Sequence, residues 1–153
     1  MGWLDGFRSI GSGLQAQRIR MEVIAQNLAN ADVTRTPEGG PYRRQQVILT
    51  SSARPLIALP PFIRFATFLR ELLADSSSAT VQVAAIRPDT SPPRRVYDPG
   101  HPDAGPDGYV LFPNVDVPLE IVDLMTASRA YEANAMALQT LRRSLEHALE
   151  LLR

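Results

Sequence analysis

Cysteine and lysine are both missing from this chain, and each absence closes a set of functions. Without cysteine there are neither disulfides nor thiolate metal sites. Without lysine there is no Walker-type phosphate loop, and no GxGxxG run suggests a dinucleotide site. Every cation is an arginine and the formal charge is zero, so the surplus that captures nucleic acid by displacing counterions is absent. Only His101 and His147 could act as imidazole bases or metal ligands. His147 stands among Glu146 and Glu150 near the end of a helical pattern, as an exposed or seam-flanking residue. His101 sits in DPGHPDAGPDG at 98–108, where Asp98, Asp103 and Asp107 lack calcium-loop spacing and read as turn caps among prolines and glycines. No catalytic residue, metal ligand or cofactor is expected. The opening MGWLDGFRSI has no cationic run followed by an apolar stretch, so a Sec signal is not expected, and Gly6 stands where a myristoylation site needs serine or threonine.

What the chain does have is two long helical patterns at opposite ends. In the first, Phe7, Leu14, Met21 and Leu28 share one seam position, with Trp3, Ile10 and Ile24 on the other and Gln17 intruding. In the second, Leu124, Tyr131, Leu138, Leu145 and Leu152 form one seam beside Ala127, Leu141 and Ala148, interrupted by Asn134. Asp116 suits an N-cap, Pro118 fits the first turn, and Glu120 and Asp123 place negative charge near the positive end of the helix dipole. A helix over 117–152 spans about 54 Å and one over 4–30 about 40 Å. A compact domain of this length is only about 40 Å across. The second helix overshoots its own globule, so both seams are expected to meet other chains.

Between the helices the pattern changes. Turn formers fill 31–41, strands are expected over 42–50 and 80–86, and shorter ones at 95–97 and 109–112. In the segment 56–73, Pro61 opens a short amphipathic helix with Phe62, Phe65, Leu69 and Leu72 on one face. Arg64, Arg70 and Glu71 argue against a membrane span, since each arginine near mid-bilayer costs about 2.5–3.5 kcal/mol. The expected fold is mainly α with a small β module. Residues 1–33 and 113–153 form paired terminal helices in a coiled-coil core layer, and 34–112 form the β-rich middle with its insert at about 56–74.

Five separated runs, NLANADVT at 27–34, PYRRQQV at 41–47, VYDPGHPDA at 96–104, GYV at 108–110 and PNVDVPLEIVDLMTASRAYEAN at 113–134, closely resemble flagellar basal-body rod proteins, above all the proximal rod subunits. The resemblance covers about residues 1–50 and 80–153 in order. It implies a structural subunit of the proximal rod, or drive shaft, in the periplasm. Such a subunit is exported unfolded by the flagellar type III apparatus without a Sec signal, polymerises through its terminal helices around a central channel and transmits torque. Its partners would be other rod subunits and itself, with the export gate, the MS-ring and hook–basal body junction proteins as further candidates.

Subunit contacts are expected at Phe7, Ile10, Leu14, Met21, Ile24, Asn27, Leu28 and Asn30 in the first helix. In the second they are expected at Leu124, Ser128, Arg129, Tyr131, Asn134, Leu138, Leu141 and Leu145. Asn27 and Asn134, polar groups on or beside apolar seams, suit register-setting hydrogen bonds. The insert departs from the family pattern, which has a shorter connection there, and Phe62, Phe65, Leu69 and Leu72 are expected to pack on a neighbouring component. A soluble coiled-coil adaptor or chaperone is the alternative reading, because it explains both stripes without a channel.

Overall fold

The computed structural model describes residues 3–51 and 80–150. The expectations for the insert, with Phe62, Phe65, Leu69 and Leu72, for the Trp3 side chain and for Leu152 lie outside the described residues. Helix α1 runs Trp3–Ala29, strand β1 Gln45–Ser51, β2 Val81–Pro88, β3 Arg94–Tyr97, β4 Tyr109–Phe112 and helix α2 Val117–Glu150. The fold is two long helices with a small β module between them in sequence.

Local chemistry sets the ends of these elements. Asp116 caps α2, since its Oδ1 accepts from the Leu119 amide at 3.2 Å while its carbonyl accepts from Glu120 N at 2.9 Å. Asn30 closes α1 by donating from both its backbone N, at 3.1 Å, and its Nδ2, at 2.8 Å, to the Gln26 carbonyl. Strand β1 begins at Gln45 rather than at Tyr42. Asp89 N still donates to Arg44 O in the β1–β2 register, but Tyr42 N donates to the Val33 carbonyl and the Tyr42 and Arg44 side chains turn toward the helices, which takes the chain out of the ladder before Gln45.

Both sheets are two-stranded and antiparallel. The β1–β2 ladder runs from Gln45 opposite Pro88 to Ser51 opposite Val81, with a bulge where Ile48 and Leu49 face Ala85 and Val83. It lies against α1, where the Ser12 hydroxyl accepts from Val81 N at 3.1 Å. In the β3–β4 ladder Val96 faces Val110, which is buried.

The helices pair antiparallel and close together because the contact face is built from small residues. Gly6 lies against Leu141 and Gly13 against Asn134; a Cβ added at either glycine would stand 3.2 Å from that neighbour's side chain. Seven residues further along α1, and seven further back along α2, Arg20 lies beside the Ala127 turn with its guanidinium on Asp123, and one more step pairs Asn27 with Glu120. The core is accordingly narrow: Ala16, Val23 and Ile24 from α1, Ala127 from α2, and Ala31, Val110 and Val115 beyond the helix ends. The first seam, Phe7, Leu14, Met21 and Leu28, flanks this face and is only half-buried.

Gln17 sits at the edge of the packed face with its Oε1 buried and without a hydrogen-bond partner among the described residues. An orphaned acceptor costs about 1–3 kcal/mol. Replacing it by a residue of similar shape and no unmet hydrogen bond, Gln17→Met, therefore raises the stability of the isolated protein by about 1 kcal/mol, read as a higher denaturant midpoint at unchanged m-value.

Candidate functional site

A carboxylate in the first turn of a helix ordinarily stands in water, where the helix dipole favours it. Glu120 is instead 1% exposed, and so is Asn27. Arg44 donates through Nε to Glu120 Oε1, and Asn27 Nδ2 donates to Oε2 at 3.2 Å. The same guanidinium approaches Asp123 at 3.8 Å and Asp89 at 4.0 Å, and Arg20 donates to Asp123 at 3.4 Å. Two arginines and three carboxylates thus join the end of α1, the approach to β1, the loop after β2 and the start of α2.

Asn27 uses its whole hydrogen-bonding capacity. Its Nδ2 also donates to the Gln45 carbonyl at 2.9 Å, and its Oδ1 accepts from Gln45 N at 2.8 Å and from the Tyr42 hydroxyl at 3.0 Å. The side chain satisfies both backbone groups of Gln45 as a neighbouring strand would. Burial raises the Tyr42 pKa above the ordinary phenol value, and the Glu120 charge adds to the effect. Asp89 titrates below the usual carboxylate range because the Ser91 amide and hydroxyl donate to it, at 2.9 and 2.7 Å, with Arg44 contributing.

This arrangement holds the chain together. The cleft over it, about 230 Å³ and lined by Arg20, Arg44, Glu120 and Asp123, contains charges that already pair with one another. A larger open cleft of about 650 Å³ lies between the loops after α1 and β3. There Thr34 donates to Asp103 at 2.7 Å, Arg35 approaches Asp103 at 3.9 Å and Arg95 pairs with Asp107 at 2.8 Å. His101 Nδ1 accepts from the Asp103 amide and Asp98 Oδ1 from the Gly100 amide, so these groups staple turns. Neither cleft sets a nucleophile beside a base.

The residues expected at subunit contacts divide into three groups. Ile24 and Asn27 are buried inside the chain in this conformation. Phe7, Ile10, Leu14, Met21, Leu28, Asn30, Leu124, Ser128, Asn134, Leu138, Leu141 and Leu145 are half-buried along the helix pair, with Gly6 against Leu141 and Gly13 against Asn134. Arg129 and Tyr131 are exposed. The pattern of sevens did not reveal a second apolar face on α2, formed by Ile121, Val122, Met125 and Met136 on the side turned away from Ala127. Met125 is 52% and Met136 61% exposed. These residues recur at helical spacing, which was the available signal.

Among the described residues the frame is that of a structural protein, a long helix pair tied by a buried polar node with apolar side chains exposed on α2. Family comparison gives the particular kind. A model for flagella basal body rod proteins matches residues 7–35, and one for the C-terminal domain of flagellar basal body rod FlgEFG proteins matches 107–151. The flagellar basal-body rod protein FlgC of Borreliella burgdorferi is 39% identical over 99% of this chain and 99% of its own length. That of Salmonella typhimurium is 38% identical over 99% and 98%, and that of Bacillus subtilis 41% identical over 92% and 91%. The chain belongs to the FlgC family of flagellar basal-body rod proteins. It is a structural rod subunit rather than an enzyme or a soluble adaptor.

Two measurements test the node. Arg44→Met strands Glu120 as a buried, unpaired charge and lowers unfolding free energy by about 3–5 kcal/mol, whereas Arg44→Met with Glu120→Leu recovers most of the loss. For Tyr42, the raised folded-state pKa means that its contribution is complete below the unfolded value near 10.0 and is lost as pH rises through the folded value. Tyr42→Phe accordingly flattens the decline of thermal stability above that pH, at a cost of about 1 kcal/mol at neutral pH for the hydrogen bond to Asn27.

Proposed function

We propose that the chain polymerises through its terminal helices into the proximal rod, with 1–33 and 113–153 forming a coiled-coil inner layer and 34–112 standing outside it. The observation that carries this reading is the two-faced character of α2. Glu120, Ala127 and their neighbours pack on α1, while Ile121, Val122, Met125 and Met136 on the other side are exposed, with no cover among the described residues. Clustered large apolar side chains left exposed on a protein surface mark a contact surface for another chain. In a cylindrical lattice each helix has neighbours on both sides, so the open face and the half-buried flank with Phe7, Leu14, Met21 and Leu28 are both covered by sister subunits.

Length supports the same reading. The 34 residues of α2 extend about 51 Å against about 40 Å for the 27 of α1, so part of α2 runs beyond its partner. Stacked subunits supply the missing contacts and carry torque through side-to-side packing. Export by the flagellar type III apparatus belongs to this proposal, as do contacts with the export gate, the MS-ring or hook–basal body junction proteins. Phe62, Phe65, Leu69 and Leu72 of the insert are assigned to one of those neighbours.

Incorporation into basal bodies is the measurement. Leu28→Asp or Leu138→Asp places a carboxylate in the flank, and Met125→Asp places one on the face that the isolated subunit leaves open. Expressed in cells lacking the native copy, each is expected to be lost from detergent-resistant basal bodies and to abolish motility. Met125→Asp should do so with unchanged circular dichroism and melting of the isolated protein. Wild-type recovery of all three variants in basal bodies overturns the proposal.

A further inference from the structure

The β3–β4 ribbon has an outer face that is exposed among the described residues, beside the open cleft whose far wall is the loop after α1. Register sets Tyr97 opposite Tyr109 and Arg95 opposite Leu111, and strand alternation brings these four side chains to one face, with Val96, Val110 and Phe112 on the other. The inner face is covered, for Val110 is buried, but Tyr97 is 65% exposed and Tyr109 and Leu111 are exposed with it. The rings are nevertheless held in place. Tyr97 and Tyr109 pack edge to face at 5.3 Å, and the Arg95 guanidinium stands 4.8 Å from the Tyr109 centroid. Tyr97 also rests on Gly108, whose φ is +74° and where an added Cβ would come within 2.8 Å of the ring. Ordered aromatic and arginine side chains bind with little further loss of entropy and are the commonest anchors of protein interfaces.

We propose that this ribbon face docks on the open stripe of α2 in a second copy of the chain. The inference rests on the rod reading and names one of its contacts. Three matches select the partner. Met125 and Met136 offer flexible thioethers to the tyrosine rings, a favourable pairing of sulfur with aromatic edges. Arg129 and Glu132 stand exposed near the same stripe, three residues apart and without an ion-pair partner among the described residues. The ribbon presents the opposite pair, Arg95 with Asp107 at 2.8 Å. Dimensions agree as well: four-residue strands measure about 13 Å, and Met125 to Met136 spans about 16 Å along α2. The exposed side of α1, with Arg8, Gln15, Arg18 and Glu22, offers no comparable apolar cover.

Two different patches meet in this contact, so it is head-to-tail and each copy can engage two others. Such a small contact falls well short of the about 1,200 Å² that supports a stable pair, so it forms only where other rod contacts act with it.

The absence of native cysteine makes the test direct. Tyr97→Cys combined with Met136→Cys, expressed in cells lacking the native copy and oxidised in isolated basal bodies, gives a ladder of disulfide-linked dimers, trimers and higher species, while either single variant gives none. Dimers from Met136→Cys alone mean that α2 meets α2 and overturn the proposal, and so does a double variant that assembles without cross-linking. In parallel, Arg95→Glu and Glu132→Arg each lower incorporation about tenfold, and together they restore it. Two impaired single variants with no recovery in the pair also overturn it. If the unaltered chain itself is missing from basal bodies, the rod reading fails instead.

Discussion

A carboxylate taken out of water must be met by opposite charge and hydrogen bonds, and Glu120 imposes that requirement at the first turn of α2. Its two oxygens accept from Arg44 and Asn27, which stand on the approach to β1 and near the end of α1. Asn27 in turn holds both backbone groups of Gln45. A shift of α2 by one helical step would withdraw Glu120 from both donors at once. The pairing of Gly6 with Leu141 and Gly13 with Asn134, far along the helices, follows from the alignment fixed at this end.

Tight alignment limits what the helix pair can bury. Glycine and alanine bring the backbones together, but they remove little apolar surface from water, and the largest buried side chains include Glu120 and Asn27 rather than leucines. The leucines, methionines and aromatics lie on the flanks and on the far side of α2. A subunit of this kind has its internal geometry specified by polar contacts and much of its apolar surface on the outside. Buried ion pairs commonly add little net stability over apolar residues of the same volume, and their best-attested use is to set register.

Local signals in the sequence gave much of this fold. Asp116 caps α2 as its position before Pro118 suggests, and three of the four strands fall within a residue or two of the alternating runs. What escaped was every relation between distant segments. Glu120 read as a charge favoured by the helix dipole, and Arg44 as part of the strand expected over 42–50, because no periodicity joins residues 76 positions apart. Spacing by sevens placed the seam of α1 on Phe7, Leu14, Met21 and Leu28. The packed face is turned toward Gly13, Ala16, Val23 and Asn27, since glycine and alanine carry no weight in a hydrophobic pattern although they are what allows close approach. Asn27 stood out as a polar group beside an apolar seam; its intrachain partners did not.

The division between a polar interior joint and an apolar exterior bears on how a rod subunit avoids premature association. Open apolar stripes invite contact with any similar surface, and apolar burial alone discriminates poorly among partners of the same size. The joint at Glu120 counters this by presenting α2 at one fixed rotation, so that Val122, Met125 and Met136 stand in a single row rather than in an ensemble of orientations. Each contact along such a row is small, and weak contacts hold only when several close together. Fixed geometry with individually weak contacts favours growth at the end of an existing polymer, where several neighbours are met simultaneously, over pairing of free subunits.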